Sequence, residues 1–110
     1  MLVLANSLEK LGLLVKKVLV NKPIHDDALQ RLAEEVEVIT PFDEPKEVIF
    51  KKLPDVEGII LCAGLDMRSK EMDIAKNLEV IGRHGVGLDI VDVEEANNRQ
   101  LPVVFTQFSP

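Results

Sequence analysis

Short aliphatic runs alternate with stretches of helical periodicity from Val15 onward, and this alternation narrows the fold more than any other feature of the chain. The runs are "VKKVLVNK" (15–22), "VEVIT" (36–40), "GIILC" (58–62), "LEVIG" (78–82) and "PVVFT" (102–106). After the first run, Leu29, Leu32, Ala33 and Val36 fall at i, i+3, i+4 and i+7, one face of a helix that Asp26 or Asp27 is placed to cap. Pro45, with Asp43 and Glu44 before it, opens a second helix with Val48, Ile49 and Leu53 on its apolar face, and Pro54 stops it. Ser69 is placed to cap a short helix running to Lys76, and Asn77 suits a left-handed C-cap. Asp92-Val93-Glu94-Glu95 has the spacing of a capping box for a last helix. "GIILC" is apolar throughout, as a strand covered on both faces must be. About five strands with helices between them predict an α/β fold, a doubly wound parallel sheet in a single domain.

At 110 residues the chain has room for one core. Its formal net charge is −6 and no Lys/Arg cluster offsets it, which argues against nucleic acid or an anionic membrane as partner. An anionic ligand would need a local positive site, made from backbone N–H groups or a few basic side chains. Cys62 is the only cysteine, which suits a reducing cytoplasm. The apolar start "MLVLANSLEKLGLLVKKVLV" is broken by Glu9 and Lys10, too charged for a membrane span and without the cleavage site of a signal peptide. Residues 1–14 therefore read as an amphipathic extension ahead of a domain over 15–106.

The stretch "GRHGVGLDI" (82–90) carries three glycines in six positions directly after a strand. A dinucleotide fingerprint needs G-x-G-x-x-G after the first strand and an acid about twenty residues on. Here the third position is Ile90, the strand is the fourth, and the distant position is Gln107. The nucleotide reading fails on all three counts. Backbone N–H groups at the carboxyl end of a parallel sheet can still hold a small carboxylate, at Val86 and Gly87, because glycine lets a ligand approach the main chain. The plain alternative is a tight strand-to-helix turn that needs glycine only for its backbone angles.

The stretch "LEVIGRHGVGLDIVDVEEANNRQLPVVFT", with "VLVNKPIHDDALQRL" and "VEGIILCAGLDMRSKEMDIAKNLEVIGR" before it, resembles the N-terminal domain of the D-isomer-specific 2-hydroxyacid dehydrogenases, especially their phosphoglycerate dehydrogenase-like branch. The resemblance implies a flavodoxin-like, substrate-binding domain, often called the catalytic domain. It implies that the turn at Gly85, Val86 and Gly87 gives backbone N–H groups to the carboxylate of a small 2-hydroxy or 2-oxo acid such as 3-phosphoglycerate, glycerate or glycolate. A second contact would come from the loop after the third strand, at Ala63 and Gly64. NAD(P) would bind to a separate nucleotide-binding domain, and residues 107–110 read as the stub where the hinge to it begins. The family's catalytic Arg, Glu and His lie in that other part, so the resemblance implies no catalytic or cofactor-binding residue here, and the 110 residues alone should be inactive. Two positions depart from the family pattern. Cys62-Ala63 stands where phosphoglycerate dehydrogenase-like members often have Arg-Ser, and Ile90 stands where a polar residue is common. The first removes a side chain that could grip a substrate phosphate. A returning C-terminal segment, present in the family and absent here, would leave a sheet edge and apolar surface open, which predicts self-association. A competing reading is a stand-alone flavodoxin-like ligand-binding or regulatory module; Asn21-Lys22-Pro23 and Cys62-Ala63 lack the acids that a phosphate-accepting receiver needs.

Other chemically able residues read as structural. His84 in the glycine turn and His25 before a helix cap have no oriented partner in the sequence. Cys62 reads as a buried apolar filler and Met67 and Met72 as packing, with no metal site expected. Arg83 either offers its charge to an acid substrate or pairs with Asp89 or Asp92.

Overall fold

The computed structural model describes residues 16–84 and 90–106. Within them the chain runs β1 (Lys17–Val20), α1 (Asp26–Glu35), β2 (Glu37–Ile39), α2 (Lys46–Lys52), a 3-10 turn (Leu53–Asp55), β3 (Gly58–Leu61), α3 (Ser69–Ile74), β4 (Val80–His84), α4 (Val93–Asn98) and β5 (Val103–Thr106). All strand pairs are parallel and the order is β2-β1-β3-β4-β5. The expected flavodoxin-like, doubly wound α/β sheet is therefore what forms.

Strand alternation sorts the side chains onto two faces. Leu19, Ile59, Leu61 and Ile81 are buried in one cluster with Ile49 of α2, Leu53, Met72 of α3 and Ala96 of α4. Met67 joins them, fully buried. The opposite face carries Ile60, which shares a hollow with Ala28 and Leu32 of α1. Three helices thus cover one face and one covers the other. No residue of α1 is buried, and Val104 on the edge strand is 51% exposed.

Several local expectations are corrected. His25, not an aspartate, caps α1: its Nδ1 accepts the Asp27 N–H at 3.2 Å, while Asp26 and Asp27 sit in the first turn near the positive end of the helix dipole. Ser69 is the first helical residue of α3 rather than its cap, and Arg68 precedes it with its N–H donating to the Glu71 carboxylate at 2.9 Å. Asn77 is not left-handed; Ala75 ends α3, and the Asn77 amide donates instead to the Pro54 carbonyl at 2.9 Å. The left-handed residue after a helix is Gln100, with φ 59°. Asp92 does cap α4, accepting from Glu95 N–H at 3.0 Å. β4 runs on to His84 because Arg83 and His84 find partners in Phe105 and Thr106 of β5.

Candidate functional site

The strand order makes the chain reverse direction between β1 and β3. It leaves β1 through α1 on one face and β3 through α3 on the other, so the two loops diverge and leave a crevice at the carboxyl end of the sheet. Asn21, the first residue after β1, closes the floor of that crevice. It is 3% exposed; its Oδ1 accepts the Cys62 N–H at 2.7 Å, and its Nδ2 donates to the carbonyls of Cys62 at 3.1 Å and Ala63 at 3.4 Å. A buried side-chain amide thereby ties the loop after β3 to the end of β1 and replaces the ladder bonds that stop at Leu61.

The loop that Asn21 holds then turns outward. Gly64 has φ +99°, a backbone conformation that side chains oppose, and a Cβ there would also meet Lys22 Cε at 3.3 Å. Ala63 and Gly64 are exposed, and among the described residues no hydrogen bond takes up their N–H groups. The Lys22 side chain lies alongside, its Nζ 3.9 Å from where a Cβ on Gly64 would stand.

A second cation lies beneath. Arg83, 6% exposed, donates from Nη1 to the Leu61 carbonyl at 3.3 Å and to the His84 carbonyl. Its guanidinium therefore lies at the carboxyl ends of β3 and β4. Asp92, one of the carboxylates expected to pair with it, caps α4 instead, and Asp89 lies outside the described residues. Burial pushes the Cys62 thiol above its ordinary range; the Lys22 backbone and the charges of Arg83 and Lys22 pull the other way but weigh less. A thiol held protonated is a poor nucleophile.

The sequence-predicted site residues divide as follows. Ala63 and Gly64 stand on the crevice rim, whereas Gly85, Val86 and Gly87 lie outside the described residues, as do residues 1–15 and 107–110. His84 is half-buried in an apolar hollow of about 300 Å³ with Ile24, Leu32 and Ile60, on the α1 face. A larger hollow of about 400 Å³ lies at the opposite, amino end of β4 and β5; its Arg99 is taken up by Glu95 at 2.7 Å and Asp73 at 2.6 Å. Sequence reasoning passed over Asn21 and Lys22. The signal available was their position, since a polar pair directly after the first strand of such a sheet stands at its switch point.

Among the described residues this arrangement offers no oriented acid–base pair to move a proton. Nor does it fit a dinucleotide: the turn after β1 is Asn21-Lys22-Pro23, where the Asn amide is spent on Cys62 and proline has no N–H to give a phosphate. Among the described residues no group of three or more His, Cys, Asp or Glu is placed to hold a metal ion, and no helix is long and apolar enough to cross a membrane.

Residues 18–110 match the family described as D-isomer specific 2-hydroxyacid dehydrogenase, catalytic domain. D-3-phosphoglycerate dehydrogenase of Methanocaldococcus jannaschii is 39% identical over 90 residues, which are 80% of this chain and 17% of that protein. Among solved structures, the PH0520 protein of Pyrococcus horikoshii superposes with a TM-score of 0.76 at 26% identity, over 84% of this chain and 28% of that one. The NADPH-dependent glyoxylate/hydroxypyruvate reductase of Sinorhizobium meliloti, in complex with NADP and malonate, gives 0.66 at 29% identity, over 84% of this chain and 28% of that one. The chain thus spans less than a third of the length of these relatives. By fold, strand order and sequence alike, it belongs to the D-isomer-specific 2-hydroxyacid dehydrogenase family, whose catalytic domain it matches.

Proposed function

We propose that this chain is the substrate-binding part of an NAD(P)-dependent D-2-hydroxyacid dehydrogenase. It holds the carboxylate of a small 2-hydroxy or 2-oxo acid on main-chain amides at Ala63 and Gly64, with Gly85, Val86 and Gly87 supplying the second set of donors. One observation supports this above the others: a buried side chain, Asn21, fixes the loop after β3 at the switch point of the sheet, where Ala63 and Gly64 are exposed and their N–H groups have no hydrogen-bond partner among the described residues. Preorganised donors of that kind suit a carboxylate, because no side-chain ordering is needed when it arrives. The relatives named above are a phosphoglycerate dehydrogenase and a glyoxylate/hydroxypyruvate reductase, both consistent with such a ligand. Hydride transfer needs a nicotinamide beside the carbonyl and a group to move the proton. In this reading both come from a nucleotide-binding domain outside these 110 residues, and the working enzyme is cytoplasmic and oligomeric.

Crystals of the chain soaked in D-glycerate test the seat. Carboxylate density against the amides of Ala63 and Gly64 is expected, and binding elsewhere, or none, would overturn the reading. The division of labour is tested separately. The chain mixed with NADH and hydroxypyruvate should oxidise no cofactor above buffer, and turnover would refute it.

A further inference from the structure

Parallel sheets bury both faces, because their crossover helices lie on each side. Among the described residues α2, α3 and α4 share one face, while α1 alone stands on the other and packs on β2. Register carries a bare strip outward from α1. Val18, Gly58 and Val80 lie side by side across β1, β3 and β4, and Val20, Ile60 and Gly82 follow in the next row on that face. Val80 is 37% exposed, Ile60 is half-buried, and a Cβ added to Gly82 would meet nothing nearer than 3.8 Å. The hollow of about 300 Å³ between Ile60 and Ala28 and Leu32 of α1 borders this strip. Over β3 and β4 the sheet thus offers an apolar bed beside α1, about as wide as the 8–10 Å at which helices pack.

The chain carries a segment of matching pattern. Among residues 1–15, which lie outside the described residues, Met1, Leu4, Leu8 and Leu11 recur at steps of three, four and three, one helical face, and Asn6 and Lys10 fall opposite. Gly12 comes next, the residue suited to end a helix. Eleven helical residues span roughly 16 Å, the length of the five-residue β4 at about 3.3 Å per residue. Leu13, Leu14 and Val15, extended, would cover about 10 Å, which equals the two strand spacings from β4 back to β1. The Lys16 side chain already reaches that way: its ammonium bonds Glu79, the residue before β4, at 2.8 Å. The larger hollow at the amino end carries Asp73, Lys76, Glu79 and Arg99 on its walls, which a leucine stripe would desolvate. We propose that residues 1–11 form a helix that docks within the same molecule on the α1-side face of β3 and β4. It would run as α1 does, from the carboxyl end of the sheet to the amino end, and deliver the chain to the start of β1. The outer edge of β5 stays open.

The test places a nitroxide on Asn6→Cys in the full 15N-labelled chain with Cys62→Ala, so that the only thiol lies on the outer face of the helix. The amide signals of Ile60 and Gly82 should be lost and should return when ascorbate reduces the label, while those of Met72 and Ala96 on the opposite face persist. A mixture of nitroxide-bearing 14N chain with unlabelled 15N chain should show no such loss. Loss in that mixture would give the face to a second copy, and loss elsewhere or none at all would leave it uncovered; each result overturns the proposal. A second measurement needs neither label nor change at Cys62. Leu4→Glu with Leu8→Glu in the otherwise unaltered chain should raise the fluorescence of anilinonaphthalene sulfonate, which binds bared apolar surface. An unchanged signal, or a fall from losing leucines that were themselves exposed, would refute the docking.

Discussion

Replacing Asn21 by alanine should be the most damaging single change at the crevice. Asn21 is 3% exposed and its partners are the N–H and carbonyl of Cys62, itself 5% exposed. Water cannot readily reach either group once the side chain is cut back. A stranded buried N–H costs about 1–3 kcal/mol, and the lost bond from Nδ2 adds roughly 0.5–1.5 kcal/mol. The third contact, to Ala63 at 3.4 Å, is long and adds little. The sum, about 2–4 kcal/mol, is a large share of the roughly 5–15 kcal/mol that holds a domain together. Thermal melts followed by far-ultraviolet circular dichroism should fall by roughly 10–20 °C. Asn21→Asp sharpens the test, because it keeps an acceptor for Cys62 N–H but sets a carboxylate against the Cys62 carbonyl. Burial and that repulsion raise the new group's pKa in the folded state. Relative to the parent at each pH, this variant should therefore be least impaired below the ordinary aspartate value of about 4 and should lose ground as pH rises through the raised one. An Asn21→Ala melt within about 2 °C of the parent would refute the claim that this amide holds the loop.

Gly64→Ala should cost about 1–3 kcal/mol in urea unfolding, from the φ of +99°, and adding Lys22→Ala should recover only the smaller part due to the 3.3 Å contact. Because burial holds the Cys62 thiol protonated, its contribution to stability is complete below the ordinary thiol pKa and is lost as pH rises through the higher folded value. The urea midpoint of the parent should then drop more steeply between neutral and alkaline pH than that of Cys62→Ala, and equal slopes would count against it. The edge strand β5 leaves Val104 51% and Phe105 43% exposed, so the chain should self-associate at tens of micromolar. Val104→Lys should shift light scattering toward monomer, and a monomeric parent would dismiss the idea.

How much could be read from the chain depended on what kind of interaction decided each point. The parallel sheet was legible because burial on both faces imposes apolar runs such as Gly58–Leu61, and that pattern survives in any context. Helix ends were less so. His25 and Asp26 are both able caps, and the choice between them turns on where the backbone leaves its extended conformation, which the packing of α1 on the sheet decides. Asn77 was misplaced for the same reason: its side chain found the Pro54 carbonyl, 23 residues away, a partner invisible to local rules. Arg83 is the extreme case. Beside a glycine turn it reads as a charge for an acid substrate or a partner for Asp89 or Asp92, yet register places it opposite Leu61 with its guanidinium on main-chain carbonyls.

The crevice shows why such sites resist pattern reading. A fingerprint names the residues proposed to touch a ligand, here Ala63 and Gly64, but two donors placed by chance would be indistinguishable from any exposed turn. What separates this loop from an ordinary one is the buried amide of Asn21, forty-one residues earlier, fixing Cys62 from behind. Burying a polar side chain for that purpose is unfavourable unless each of its groups is satisfied, and both of Asn21's are. An apolar residue after β1 would fill the same space but strand the buried Cys62 N–H, so the amide both satisfies that group and holds the loop still. Rigidity of the donors is what the amide achieves, and rigid donors favour a small anion by lowering the cost of ordering the site around it.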